Sequence, residues 1–116
     1  MPHIILETTA DLQENAFIPD ILEALVKCLG RFDTVSPRAI KAYHTLRSVW
    51  CMGEGAAPGF AHCTVAVLHG RPLELRRAIS DAMYKVLQQE FQESLAAKEV
   101  GVTLELREMD SETYHK

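Results

Sequence analysis

Apolar positions fall into two kinds of run: short dense blocks, and longer stretches where they return about once per helical turn. The opening PHIILE is short, β-branched and followed by the polar run TTADLQEN, which predicts a strand. FIPDILEALVKCLG predicts a helix, with Ile21, Leu22, Leu25, Val26 and Leu29 at helical spacing. Pro19 suits its first turn and Gly30 its end. Ser36-Pro37 predicts a turn, after which a strand is expected through about Trp50. CMGEGAAPG, with three Gly and one Pro in nine residues, reads as a loop.

The same order then returns. FAHCTVAVL is almost continuously apolar, as expected of a strand buried on both faces. HGR predicts a tight turn, and Pro72 occupies a natural first helical position. From there a long helix is expected to about Lys98, with Leu75, Ile79, Met83, Leu87, Phe91 and Leu95 on its apolar stripe. GVTLELREMD sets Val102, Leu104 and Leu106 against Thr103, Glu105 and Arg107, a half-buried strand. The polar tail SETYHK is expected to be loose.

The order strand, helix, strand, loop, strand, helix, strand predicts an α+β fold. Two βαβ units, in halves of about 1–50 and 60–110, form one four-stranded sheet with two helices on one face. The repeat is architectural, with little residue identity between halves. The sheet's other face then needs cover, and an oligomer built around an apolar sheet face is the expected remedy.

At 116 residues the chain is one domain, residues 1–116, with a modest core of its own. Twelve Lys and Arg against sixteen Asp and Glu leave a net charge of −4, which argues against a nucleic-acid surface. Cys28, Cys51 and Cys63 are odd in number and lack the spacing of a zinc or redox motif, so reduced thiols are expected. No basic start leads a long apolar core, and no stretch approaches the length that spans a bilayer. A soluble cytoplasmic protein with no membrane partner is the expectation.

Among candidate chemistry, GEGAAPG lacks the Lys-Ser/Thr of a phosphate loop, and there is no serine elbow. The five His do not pair at metal-ligand spacing. His62 and His69 stand at the two ends of one strand, and His3 and His62 suit hydrogen bonds across the sheet. What remains is Pro2. Behind an initiator Met it is small enough for Met1 to be removed, leaving a secondary amine beside an apolar strand. Arg71, at a sheet-end turn, and Lys41 and Arg38, at the start of a strand, are cations that could face it. A neutral amine with two cations suits an acidic substrate that loses and regains a proton. Phe60, Trp50 and Ile5 are candidate apolar walls, and equally candidates for ordinary core.

MPHIILE, WCMGEG and FAHCTVAVLHGRPLELRR together resemble the 5-carboxymethyl-2-hydroxymuconate Δ-isomerase family of the tautomerase superfamily, nearly end to end. The resemblance implies a homotrimer of doubled βαβ subunits, with sites near subunit boundaries and no metal or organic cofactor. It implies an amino-terminal proline, here Pro2, as general base shifting a proton in an unsaturated 2-hydroxy carboxylate from aromatic breakdown, as in homoprotocatechuate degradation. A family Arg falls on Arg71, to hold a carboxylate or oxyanion. A second falls on Lys41, where charge survives but the two-pronged geometry of a guanidinium does not; Arg38 and Arg47 are the other cations of that segment. Two alternatives stay open: a keto–enol tautomerase or dehalogenase with another acidic substrate, and an inactive trimeric binding protein of the same fold.

Overall fold

Alternation along the first strand, β1 (His3–Thr9), decides which way the sheet faces. Ile4, Leu6 and Thr8 are buried, while His3, Ile5 and Glu7 are only half-buried. The computed structural model describes residues 1–116. After β1 come α1 (Ile18–Leu29), β2 (Lys41–Arg47), β3 (Gly59–Leu68), α2 (Leu73–Glu90), the short α3 (Gln92–Ala96) and β4 (Val100–Met109), with 3-10 turns at Gln13–Phe17 and Pro37–Ala39.

The sheet order is β2-β1-β3-β4. Within each half the strands run parallel, His3 opposite Lys41 and Gly59 opposite Val100. The halves meet antiparallel, with His3 opposite Ala66 and Thr8 opposite Ala61. The expected βαβ doubling is therefore present, joined through its two central strands. Ile21, Leu25 and Leu29 of α1 and Ile79, Met83 and Leu87 of α2 close one core over Ile4, Leu6, Cys63 and Val65. All three cysteines are free thiols. Burial raises the Cys63 thiol to about 12, so it stays protonated at neutral pH. No helix is long and apolar enough to cross a membrane.

Four expectations are corrected. The segment after Ser36 first makes the 3-10 turn Pro37–Ala39, where proline's missing N–H is harmless, and becomes strand only at Lys41. That strand stops at Arg47, because its partner β1 ends opposite at Thr9. The long second helix breaks at Phe91, fully buried with φ −109 and ψ 21, and restarts as α3. Glu14 fixes the restart: it accepts hydrogen bonds from Ser94 Oγ (2.6 Å) and from the Ser94 N–H (3.2 Å), a group a helix start leaves unpaired. The open face of the sheet is not apolar; register puts His3, Glu7, Tyr43, His62, Thr103 and Arg107 on it beside Ile5. The tail, finally, is held: the N–H groups of Thr113 and Tyr114 bond to the Asp110 carbonyl at 3.2 and 2.9 Å.

Candidate active site

Pro2 is buried at the start of β1, and its carbonyl accepts the backbone N–H of Lys41 at 3.0 Å. It lines a cavity of about 240 Å³ with Met1, Thr34, Leu68, Arg71 and Lys116 among its neighbours, and no Asp or Glu side chain reaches the lining. In a chain of net charge −4, the charged side chains of this lining are Arg71 and Lys116, both cationic.

Arg71 arrives by way of the turn after β3. Gly70 there has φ 133, a backbone region that side chains rarely adopt. The Arg71 guanidinium is held in a frame: Nε donates to Thr34 Oγ1 (3.1 Å), one terminal nitrogen to the Thr34 carbonyl (2.9 Å) and the other to the Leu68 carbonyl (3.2 Å). A guanidinium carries five N–H donors, so two remain to grip a carboxylate or enolate oxygen. Behind it Arg76 Nε donates to the Arg71 carbonyl at 3.1 Å and its guanidinium pairs with Glu108, which braces the turn itself.

The electrostatics favour a neutral amine. The terminal amine, here on Met1, is pushed below its ordinary value first by burial, then by the charges of Lys116, Lys41 and Arg71. His3 is lowered too, by burial, by Lys41 and by the terminal amine. Its ring joins two phenols, Nε2 to Tyr114 Oη at 2.8 Å and Nδ1 to Tyr43 Oη at 3.3 Å. With Met1 attached, the Pro2 nitrogen is an amide and has no lone pair to give.

Of the residues singled out from sequence, the fold brings Pro2 and Arg71 into one cavity. Lys41 lies beside it on the edge strand, exposed, opposite His3. Arg38 is exposed on the 3-10 turn. Arg47 stands at the far end of β2, bonded through Nε to Glu7 at 2.9 Å, so it does not replace Lys41. Phe60 also lies far off, its backbone N–H bonded to Thr9 Oγ1 at 3.0 Å. At about 3.3 Å per residue, that is roughly 20 Å along β1 from Pro2. Trp50 closes the neighbouring loop, its indole N–H on the Pro58 carbonyl at 2.8 Å. Neither aromatic joins the Pro2 cavity of its own chain. His62 hydrogen-bonds across the sheet to Thr103 Oγ1 at 2.7 Å.

Three participants were invisible in sequence: Thr34, Tyr114 and Lys116. Thr34 and Arg71 are 37 positions apart, and His3 and Tyr114 are 111 apart. No local pattern signals such pairs.

A family model described as 5-carboxymethyl-2-hydroxymuconate isomerase matches residues 2–116. A solved 5-carboxymethyl-2-hydroxymuconate isomerase from Deinococcus radiodurans R1 is similar at 27% identity and a TM-score of 0.90, covering 99% of this chain and 87% of that one. A 5-carboxymethyl-2-hydroxymuconate delta-isomerase shares the fold at 15% identity and a TM-score of 0.82, covering 100% and 87%. A fused 4-OT protein, described as a symmetric trimer, shares it at 19% identity and a TM-score of 0.68, covering 98% and 90%. No curated protein matches.

Proposed function

The chain belongs to the 5-carboxymethyl-2-hydroxymuconate isomerase family of the tautomerase superfamily, and from that premise we propose that it isomerises an unsaturated 2-hydroxy carboxylate with Pro2 as general base. Removal of Met1 is part of the proposal. The freed secondary amine then sits in the same buried, cationic surroundings that depress the terminal amine. It takes the proton of the substrate's enol hydroxyl, leaving a dienolate. Arg71 stabilises that charge with its two remaining N–H donors, as a preorganised oxyanion site does. The prolinium returns the proton to carbon, so the product is an isomeric keto acid and the base is regenerated.

The observation that carries this reading is the cavity in which Pro2 meets Arg71 and Lys116 with no acidic side chain among its walls. 5-Carboxymethyl-2-hydroxymuconate is the substrate the family suggests. We further propose a homotrimer in which Phe60 and Trp50 of one chain wall the Pro2 cavity of the next. Their position at the opposite end of the sheet supports it, as does the symmetric trimer described for a protein of the same fold. The test is an ultraviolet assay of that substrate with protein whose loss of Met1 is confirmed by intact mass. Pro2→Ala should cost roughly 10²-fold or more in kcat, the usual share of a positioned base. Undiminished turnover in Pro2→Ala would refute the mechanism.

A further inference from the structure

We propose that the C-terminal segment Asp110–Lys116 is a working part of the Pro2 site: Tyr114 latches it to His3, and Lys116 supplies a cation for a second carboxylate of the substrate. This rests on reading the Pro2 cavity as an anion site and adds which acids it selects.

The segment is built to hold a shape. Asp110 closes it as a turn, its carbonyl taking the N–H groups of Thr113 and Tyr114 and its Oδ1 that of Glu112 at 2.9 Å. The turn brings Tyr114 back to β1, where its hydroxyl meets His3 Nε2 at 2.8 Å. Its longer bond to the Met1 carbonyl, 3.5 Å, leaves with Met1, so the His3 bond is the latch. The two rings stand edge to face, 6.0 Å apart at 80°. Tyr114 is outside the hydrophobic core, so its contacts serve placement more than folding.

What the latch places is Lys116, in the lining of the Pro2 cavity. After burial, its charge is the first cause that lowers the terminal amine, ahead of Lys41 and Arg71. Arg71 is committed through its frame to one carboxylate or oxyanion. Lys116, a flexible point charge on the same wall, suits another carboxylate at a variable distance. An acid with two or three carboxylates then engages both cations, whereas a monocarboxylate engages one. The segment thus acts as the specificity element that a Lys at position 41 leaves open.

The test is titration of Met1-free protein with propane-1,2,3-tricarboxylate, followed by NMR shifts of the cavity residues, in wild type, Lys116→Ala, Tyr114→Phe and Lys85→Ala. Lys85 is exposed on α2, and its removal changes net charge equally. Lys116→Ala should weaken binding about tenfold and Lys85→Ala less than about twofold, with Tyr114→Phe between them. Turnover of 5-carboxymethyl-2-hydroxymuconate should show a raised KM in Lys116→Ala with kcat nearly kept. Equal effects in Lys116→Ala and Lys85→Ala, or no weakening in either, would overturn the proposal, as would absence of binding to wild type. If the tricarboxylate binds as expected but the muconate is not turned over, the isomerase reading fails and the anion selection stands.

Discussion

Replacing Thr34 by Val tests how Arg71 is aimed. The change keeps side-chain shape but removes the Oγ1 that accepts from Arg71 Nε at 3.1 Å, while the bonds to the Thr34 and Leu68 carbonyls survive. A hydrogen bond from a charged donor contributes about 1.5–3 kcal/mol when enclosed. This one lies at an exposed position, where solvent screening reduces it to about 1 kcal/mol. If the frame orients the guanidinium for the transition state, about 1 kcal/mol is roughly a fivefold fall in kcat/KM. Arg71→Ala removes the cation itself and should cost about 10²-fold or more. The assay is kcat/KM by ultraviolet absorbance, with the urea midpoint measured in parallel. Stability should change by less than about 0.5 kcal/mol, since a surface bond is lost and no core is touched. An unchanged kcat/KM in Thr34→Val would show that the frame does not aim Arg71. A loss as large as that of Arg71→Ala would show that Thr34 acts on substrate directly.

Two further outcomes are expected. His44, whose Nε2 bonds Thr8 Oγ1 at 2.7 Å, has its pKa lowered by burial from 6.5, so the unfolded chain binds the proton first. Its contribution to stability is full above pH 6.5 and is lost as pH falls from there through the depressed folded value. His44→Gln should therefore flatten the drop in urea midpoint between about pH 7.5 and 5, and an unchanged slope would contradict the shift. If sites are shared between chains, Pro2→Ala and Phe60→Ala proteins, each inactive alone, should regain about one quarter of wild-type rate after equimolar refolding together, by random pairing. No regain would place each site within one chain.

The sequence carried the elements whose signals are local. PHIILE is a short, dense β-branched block, GVTLELREMD alternates visibly, and the α1 stripe from Ile21 to Leu29 shows its buried face. Where outcomes depended on distant partners, the local signal misled. Phe91 continues the apolar stripe of α2, yet the helix stops there because Glu14, 80 positions from Ser94, captures the first turn of α3. SETYHK is polar enough to read as loose, yet one phenol–imidazole bond returns it to the start of the chain. Pro2 and Arg71 could be singled out as candidates, Pro2 by its place behind Met1 and Arg71 by its sheet-end turn, but it was the family likeness that raised them above ordinary strand and turn residues. That Thr34 frames Arg71 and that Lys116, with Lys41 only beside it, lines the cavity follow from tertiary contacts alone.

The central claim is that a free Pro2 amine stands neutral at working pH beside Arg71. Its most direct test is ¹⁵N NMR titration of proline-labelled, Met1-free protein, set against the pH profile of kcat/KM. The account predicts that the Pro2 nitrogen titrates below the ordinary α-amino range of about 7.7–8.0 and that the acid limb of activity follows it. Lys116→Ala should move both to higher pH, since a like charge is removed. An amine titrating at or above about 8, or an acid limb that ignores it, would contradict the account.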